Sequence, residues 1–497
     1  MLKPFKKFSW ELTILSGVLI GFAYQPWKLG FLVYVGFIPI ILVWMQNDSI
    51  KNFKHGYLFG FVYNLISNYW IGCNSGADFY VVLLSLLFAA GYLAIFWGAC
   101  GFIIGALNKK KPIYYLPFLI VTLEWIRSFG PLGFDWGILA LTQIEYLPLL
   151  QLNSIFGPYF STFIIISTNL YIYIILNENN INFKKNLILI FSFSVLFIYG
   201  SFKKGNSSEI TNSLNIAVIQ PNLDPKEKWN QSIRKQNIQI IDSLYSKAIS
   251  LKPDFILFPE TAYPTYLTVD SRLRNQIQKK VNQSNIPILV GTVDRKIDSL
   301  GNKLFFNSTI FMKPEKNYDL YSKIHLVPFA EYDLVPEFLH PLMRLNLNID
   351  RGIFVKGEDF KVFEWNGLRF SDLICYESSF ARYSREFSKR GAKILMIQAN
   401  DGWLGNSAGP HQHFSSAILR AIENNLPVVR SGNTGISGVI YPSGIVKNYK
   451  KLNTRAVFME KVPIYSKASF YSQYGDFFAI ISFVIFLFLG PVKCAKN

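Results

Sequence analysis

Long apolar runs separated by short polar breaks fill residues 1–202, and the pattern changes abruptly after them. A membrane-spanning helix needs roughly 20 predominantly apolar residues. Runs at about 10–25, 29–45, 55–71, 79–107, 113–129, 147–176 and 187–202 predict seven such helices, and an eighth run, 474–491, closes the chain. The run 147–176 is long enough to tilt or to begin with an interfacial turn. The breaks alternate in charge. Lys3, Lys6 and Lys7 precede the first run, and Lys51 with Lys54, Lys109 with Lys110 and Lys111, and Lys184 with Lys185 mark every second break thereafter. The breaks between them hold Lys28 alone, or no lysine or arginine. Lys493 and Lys496 follow the last run. By the positive-inside rule both termini are expected in the cytoplasm, with residues 203–473 on the opposite side. The opening MLKPFKKFSW has signal-peptide character, but no small-x-small site follows and another apolar run comes directly, so it reads as an uncleaved first helix.

Residues 203–473 keep a different rhythm. Beyond the polar stretch SFKKGNSSEITNS, short β-branched runs alternate with helical patterns. Strands are predicted at 214–220, 254–260, 286–293, 307–312, 368–377, 392–401 and around 437–442, with helices at 230–250 and 410–424. Nearly continuous apolar strands alternating with helices predict an α/β sandwich whose sheets are covered on their outer faces. The expected layout is therefore 1–202 for transmembrane helices, 203–473 for one extracytoplasmic domain, and 474–497 for a final helix and cytoplasmic tail.

Composition sharpens this picture. Of 497 residues, 51% are hydrophobic and 16% charged, where ordinary soluble domains carry about 25% charged residues. The excess of 50 Lys+Arg over 32 Asp+Glu gives +18. Much of that charge orients helices, which demotes nucleic acid as a partner. Four cysteines, none in a CxxC pair, make no disulfide framework.

Cys375 is the one cysteine of the 203–473 segment and ends an apolar strand in LICYE, a place where α/β folds set reactive groups. Taken alone it reads equally as a small core residue. A thiol nucleophile also needs a base and a group that holds negative charge on the attacked carbonyl. Glu260, in ILFPETAYP, and Lys323, in LYSKIHLVPFAEY, stand at the edges of two other apolar runs. Singly, the first reads as a helix cap and the second as a surface charge. Together with Cys375 they form a Glu, Lys, Cys series in chain order.

That series resembles the nitrilase superfamily, whose Glu–Lys–Cys triad runs in this order. Seven apolar runs before the domain and one after it resemble one branch, the apolipoprotein N-acyltransferases. The strings FPETAYP, YSKIHLVPFAEY, ICYES, NDGWLGNSAGPHQH, VVRSGNTGISGVI and LEWIRSFGPLGFDWG carry the likeness along nearly the whole chain. The resemblance implies a helical membrane bundle joined to an α-β-β-α sandwich. It implies Cys375 as nucleophile, Glu260 as general base and Lys323 as oxyanion and thiolate stabiliser. It further implies supporting or substrate-binding parts for Glu331, Tyr376, Glu377, Trp229 and Asn307. Ile324 stands where family members carry an arginine. The implied reaction takes an acyl chain from a phospholipid, phosphatidylethanolamine in the family, through a Cys375 thioester to the α-amine of a lipoprotein's N-terminal diacylglyceryl-cysteine. It needs no cofactor and no metal, and it places the chain in a bacterial inner membrane.

Other chemistries have their own signals. His325, His340, His411 and His413 leave room for a Cys–His site, and the H-x-H at 411–413 near Asp401 hints weakly at a metal, without a third ligand at diagnostic spacing. The triad alone also fits a membrane-tethered amidase that uses water. A transporter would show ionisable residues inside spans. Here only Glu124 and Arg127 stand out, three apart and able to pair with each other.

Overall fold

The computed structural model describes residues 7–107, 114–177, 183–205, 210–315, 318–332 and 354–489. Lys3, Lys6, Lys109, Lys110, Lys111, Lys493 and Lys496, on which the expected orientation partly rests, lie outside them, as does His340. The chain divides into two compact units. One comprises residues 1–73, 79–206 and 474–497, the other 74–78 and 207–473.

The first unit is helical. Among the described residues two helices are long and apolar enough to cross a membrane, Phe79–Leu107 and Tyr159–Asn177. Of the other apolar runs, several form shorter helices, among them Ser9–Gly21, Gly30–Trp44 and Phe477–Leu489, while Ser49–Ser67 and Phe183–Gly205 run to 19 and 23 residues. The run 147–176 is broken into Leu147–Leu150, Asn153–Phe156 and Tyr159–Asn177, with Gly157 at φ 79° between the last two. The helix Ser49–Ser67 begins at Asp48, whose side chain accepts the Lys51 N–H at 2.9 Å. It meets Phe79–Leu107 at glycines: a Cβ on Gly56 would lie 2.2 Å from the Trp97 carbonyl oxygen, and one on Gly101 2.2 Å from that of Asn52. Such close backbone approach is the way apolar helices associate where burial from water gives no drive. Glu124 and Arg127 are buried and lie 3.8 Å apart. Glu124 also accepts from Thr162 Oγ1 at 2.5 Å and from the Leu139 N–H at 2.9 Å, so the pair is built into the helix packing.

The second unit is the α/β sandwich the strand pattern predicts. Among the described residues its strands are β1 (Ile210–Gln220), β2 (Phe255–Leu257), β3 (Ile288–Ile297), β4 (Lys303–Met312), β5 (Asp319–Ser322), β6 (Val362–Trp365), β7 (Leu368–Ile374), β8 (Ile394–Ala399), β9 (Val428–Gly432), β10 (Ser437–Ile440), β11 (Val446–Lys450) and β12 (Ala456–Tyr465). They form two six-stranded sheets, ordered β12-β1-β2-β3-β4-β5 and β11-β10-β9-β8-β7-β6. Each sheet has a parallel centre, β1-β2-β3 in one and β7-β8-β9 in the other, flanked by antiparallel strands. Ile216, Ala217, Val218 and Ile219 on β1 are all fully buried, which is why the central strands read as unbroken apolar runs.

Helices Arg234–Ser250 and Ser271–Ser284 cover the first sheet, packing Ile241, Tyr245, Ile277 and Val281 onto Ala217, Ile256, Ile288 and Ile310. Helices Ala381–Lys389 and Ala408–Asn424 cover the second. Between the sheets Phe255, Phe311, Phe363 and Phe370 form an aromatic cluster with centroids 5.0–5.8 Å apart. Predicted strands end early where the chain must turn, and two of these ends lie at candidate site residues. β2 stops at Leu257 because Pro259 has no N–H for a ladder, and the 368–377 run stops at Ile374, where the chain turns into a 3₁₀ helix over Cys375–Ser379.

Candidate active site

The second unit brings Glu260, Lys323 and Cys375 together from three strand ends. Glu260 follows β2, Lys323 follows β5 and Cys375 follows β7. Cys375 is half-buried and has φ 53°, a left-handed conformation uncommon outside glycine that turns a side chain sharply off the end of a strand. Its thiol is electrostatically coupled to the buried Glu260 carboxyl and to the Lys323 ammonium. Thr261, next to Glu260, is also left-handed at φ 44°.

Glu260 accepts from Asn307 Nδ2 at 2.7 Å, and the same amide reaches Glu331 Oε1 at 2.9 Å. Lys323 is buried and gives its ammonium to both oxygens of Glu331, at 3.0 and 2.7 Å. Glu331 also accepts the Val327 N–H at 2.9 Å, which closes the VPFAEY loop around it.

The electrostatics follow from burial. Burial raises the Cys375 thiol well above its ordinary range, Glu260 adds to this, and Lys323 opposes both. Burial also raises Glu260, with Lys323 acting against it. Burial alone would lower Lys323, yet Glu331, Cys375 and Glu260 together hold it above its usual value, fully charged. The arrangement is a thiol in contact with a carboxylate of raised basicity, with a fixed positive charge alongside.

The supporting residues fall in three places. Glu377 is fully buried and accepts from Tyr321 OH at 3.0 Å and from the N–H groups of Ile324, His325 and Ile374 at 2.5, 3.0 and 2.9 Å. It thereby fastens the Lys323 segment to the turn bearing Cys375. The contact from residue 324 is main-chain, so isoleucine serves it as well as any other side chain. Tyr376 is buried against His325 and Phe380, with centroids at 5.5 and 5.1 Å. Trp229 is 39% exposed and lies beside Tyr266.

Two features escaped the sequence reading. Lys228 is 1% exposed, with its ammonium 3.5 Å from the Glu260 carbonyl oxygen and 3.3 Å from Thr261 Oγ1. Burial pushes its pKa down to about 8, against the pull of Glu260. Nothing in DPKEKWN separates this lysine from its neighbours, because the loop has no periodicity to mark an inward position. Arg430 is the second, a buried guanidinium inside the apolar strand β9 that lies 2.6 Å from Asp401.

Comparison with known proteins identifies the family. Residues 16–171 match the apolipoprotein N-acyltransferase N-terminal domain, and residues 215–460 match the carbon-nitrogen hydrolase family. The apolipoprotein N-acyltransferase of Geobacter metallireducens is 30% identical over 482 residues, covering 94% of this chain and 92% of that one. That of Rickettsia typhi is 29% identical over 504 residues, covering 96% and 97%. Among solved structures, an amidase from Nesterenkonia sp. aligns with 52% of this chain and 92% of its own at 17% identity and a TM-score of 0.38. The chain belongs to the apolipoprotein N-acyltransferase family, within the nitrilase superfamily.

Proposed function

We propose that this N-acyltransferase moves an acyl chain from a membrane phospholipid, phosphatidylethanolamine by family likeness, to the α-amine of a lipoprotein's N-terminal diacylglyceryl-cysteine. The observation that carries the reading is the Cys375 thiol on the Glu260 carboxyl with the Lys323 ammonium alongside. Glu260 takes the thiol proton as sulfur attacks the ester carbonyl, and Lys323 balances the tetrahedral oxyanion. Collapse releases lysophospholipid, which takes the proton back from Glu260, and leaves a thioester on Cys375. The acceptor amine then attacks the thioester. Glu260 takes its proton and the thiolate leaves, so the kinetics are ping-pong. Asn307 and Glu331 orient the two charged partners, Glu377 fixes the turn, and Trp229 and Tyr376 border the substrate side and the packed side of it.

Both substrates are lipid-anchored, which gives the helical unit its purpose. We read the eight apolar runs as eight spans, with 1–202 and 474–497 in and beneath a bacterial inner membrane and 203–473 on its outer side. The alternating lysines support that orientation.

Intact-mass measurement of the full chain incubated with phosphatidylethanolamine tests the reading. An acyl-sized adduct that hydroxylamine removes is expected in the wild type and not in Cys375→Ala. Release of free fatty acid with no adduct and no transfer to an amine acceptor would instead mark a hydrolase.

A further inference from the structure

The acyl-transfer chemistry leaves Asp401 and the H-x-H motif unused, yet the structure runs Asp401 and His413 into a buried polar chain against the nucleophile. Asp401 sits in the 3₁₀ turn Asp401–Leu404 after β8, and His413 lies in the helix Ala408–Asn424. His413 Nδ1 is 2.6 Å from Asp401 Oδ1, and Arg430 donates to Asp401 Oδ2 at 2.6 Å. At the other end of the ring, His413 Nε2 is 3.0 Å from the main-chain oxygen of Cys375 and 2.9 Å from Ser378 Oγ. Ser378 Oγ itself donates to the same carbonyl at 2.7 Å. Ser378, Asp401, His413 and Arg430 are each 2% exposed or less. The seat is closely fitted, since a Cβ on Gly435 would fall 2.4 Å from Asp401 Oδ2.

Two simpler readings fail on this geometry. Ligand atoms of Cys375, Asp401 and His413 do lie within 4.8 Å of one another, but the Arg430 guanidinium occupies the same carboxylate and opposes a cation. Nor is His413 placed as the base for the thiol. Its Nε2 is engaged by the carbonyl of Cys375 and by Ser378.

We infer that Asp401, His413 and Ser378 are positioning residues that hold Cys375 in its left-handed conformation and polarise the peptide group joining it to Tyr376. The inference rests on the acyl-transfer reading of Cys375. A non-glycine residue keeps a positive φ only where its surroundings over-determine it, and the Ser378 hydroxyl donating to that carbonyl, with the His413 ring set 3.0 Å from the same oxygen, supplies that restraint. The same carbonyl shares a peptide group with the Tyr376 N–H. Hydrogen bonds to one end of a peptide strengthen the donor at its other end, beside the carbon where negative charge develops during attack. Asp401 fixes the ring, so that Nε2 meets the carbonyl, and Arg430 keeps Asp401 ionised.

The test is single-turnover acylation of the full-length enzyme by phosphatidylethanolamine in mixed micelles, followed as the hydroxylamine-sensitive mass adduct. His413→Ala is expected to slow acylation on the order of 10- to 100-fold, the loss of one strong hydrogen bond. The lipid concentration for half-maximal rate should stay the same, and His413→Gln, which keeps a donor, should recover most of the rate. Should His413→Ala fail to fold, Ser378→Ala carries the same test with a smaller slowing. Wild-type rates in these variants, a change confined to lipid affinity, or no advantage of glutamine over alanine would each overturn the inference. A wild type that forms no adduct would overturn the acyl-transfer reading first and this one with it.

Discussion

Two buried charge clusters touch Cys375, one at its thiol and one at its carbonyl. At the thiol, the Glu260 carboxyl accepts from the neutral Asn307 amide, while the nearby ammonium of Lys323 is bound by both oxygens of Glu331. At the carbonyl, Asp401 is bound directly by the Arg430 guanidinium and by His413. Both carboxylates are buried, and burial pushes both upward. Glu260 stays raised, whereas Arg430 and His413 bring Asp401 down to about 2. A carboxylate that must trade a proton with sulfur is left without a cation of its own. One that must hold geometry is given a guanidinium at 2.6 Å. Burial therefore decides neither role; the distance to the compensating charge does.

The largest effect should come from removing the exchangeable carboxylate. Glu260→Gln keeps the shape and the Asn307 contact but cannot accept the thiol proton. Acylation is expected to fall on the order of 10²- to 10⁴-fold, the usual worth of a positioned base, while thermal unfolding in detergent stays at or above the wild-type temperature. A clear loss of stability instead would mean that Glu260 is structural in the way Asp401 is, and the contrast between the clusters would collapse.

Asp401→Asn should do the reverse. It leaves the Arg430 guanidinium buried without its counter-ion, which costs about 3–5 kcal/mol when one partner of a buried pair is removed. The pH dependence has a definite sign. A carboxyl held near 2 contributes stability that is fully present above its unfolded pKa of about 3.9 and is lost as pH falls through 2. Unfolding midpoints measured between pH 2 and 6 should therefore fall more steeply with acid in wild type than in Asp401→Asn.

Lys228 sharpens the comparison from the cationic side. Its folded pKa of about 8 lies below the unfolded value near 10.4, so protonation favours the unfolded chain. The penalty is complete below pH 8 and disappears as pH rises to about 10.4; at one unit per 1.36 kcal/mol it amounts to about 3 kcal/mol. Lys228→Met should raise the melting temperature at pH 7, with the gain fading by pH 10. Acylation should slow, because the side chain braces the Glu260–Thr261 turn against the loop that carries Trp229. A stability gain with no change in rate would show the lysine to be idle.

Much of this architecture is written in the chain at short range. Unbroken apolar strands announced the sandwich, and the strand ends FPE, YSK and LICYE marked all three residues now found together. What was not legible depends on long-range closure. The pairing of Glu331 with Lys323, or of Arg430 with Asp401 across 29 positions, has no local signature. Strands β5, β6, β11 and β12 escaped because their outward residues alternate with polar ones, as in YDLYS and VKNYK, and such edge segments look like loops. The central, fully buried β9 escaped because Arg430, Ser431 and Gly432 cut its apolar run to two valines. In the helical unit, apolar length does not show where a run is interrupted: Gly157 and Pro158 separate Asn153–Phe156 from Tyr159–Asn177 within the 147–176 run.

The smallest expected effect concerns Glu377, a third buried carboxylate near Cys375, which has no cation within the hydrogen-bonding shell described for it. Three backbone N–H groups and the Tyr321 hydroxyl satisfy it instead. Tyr321→Phe removes one donor and leaves three, and the ring keeps its edge-on packing against Phe387 at 5.6 Å. The loss should be about 1 kcal/mol, the net worth of one hydrogen bond, with acylation within a few-fold of wild type. Because the remaining donors are main-chain, they move only if the 324–325 segment or the turn at Ile374 moves. A rate loss far exceeding the stability loss would therefore mean that the hydroxyl alone keeps these two segments in register. Geometry at Cys375 would then depend on a neutral donor as much as on the Asp401–Arg430 pair.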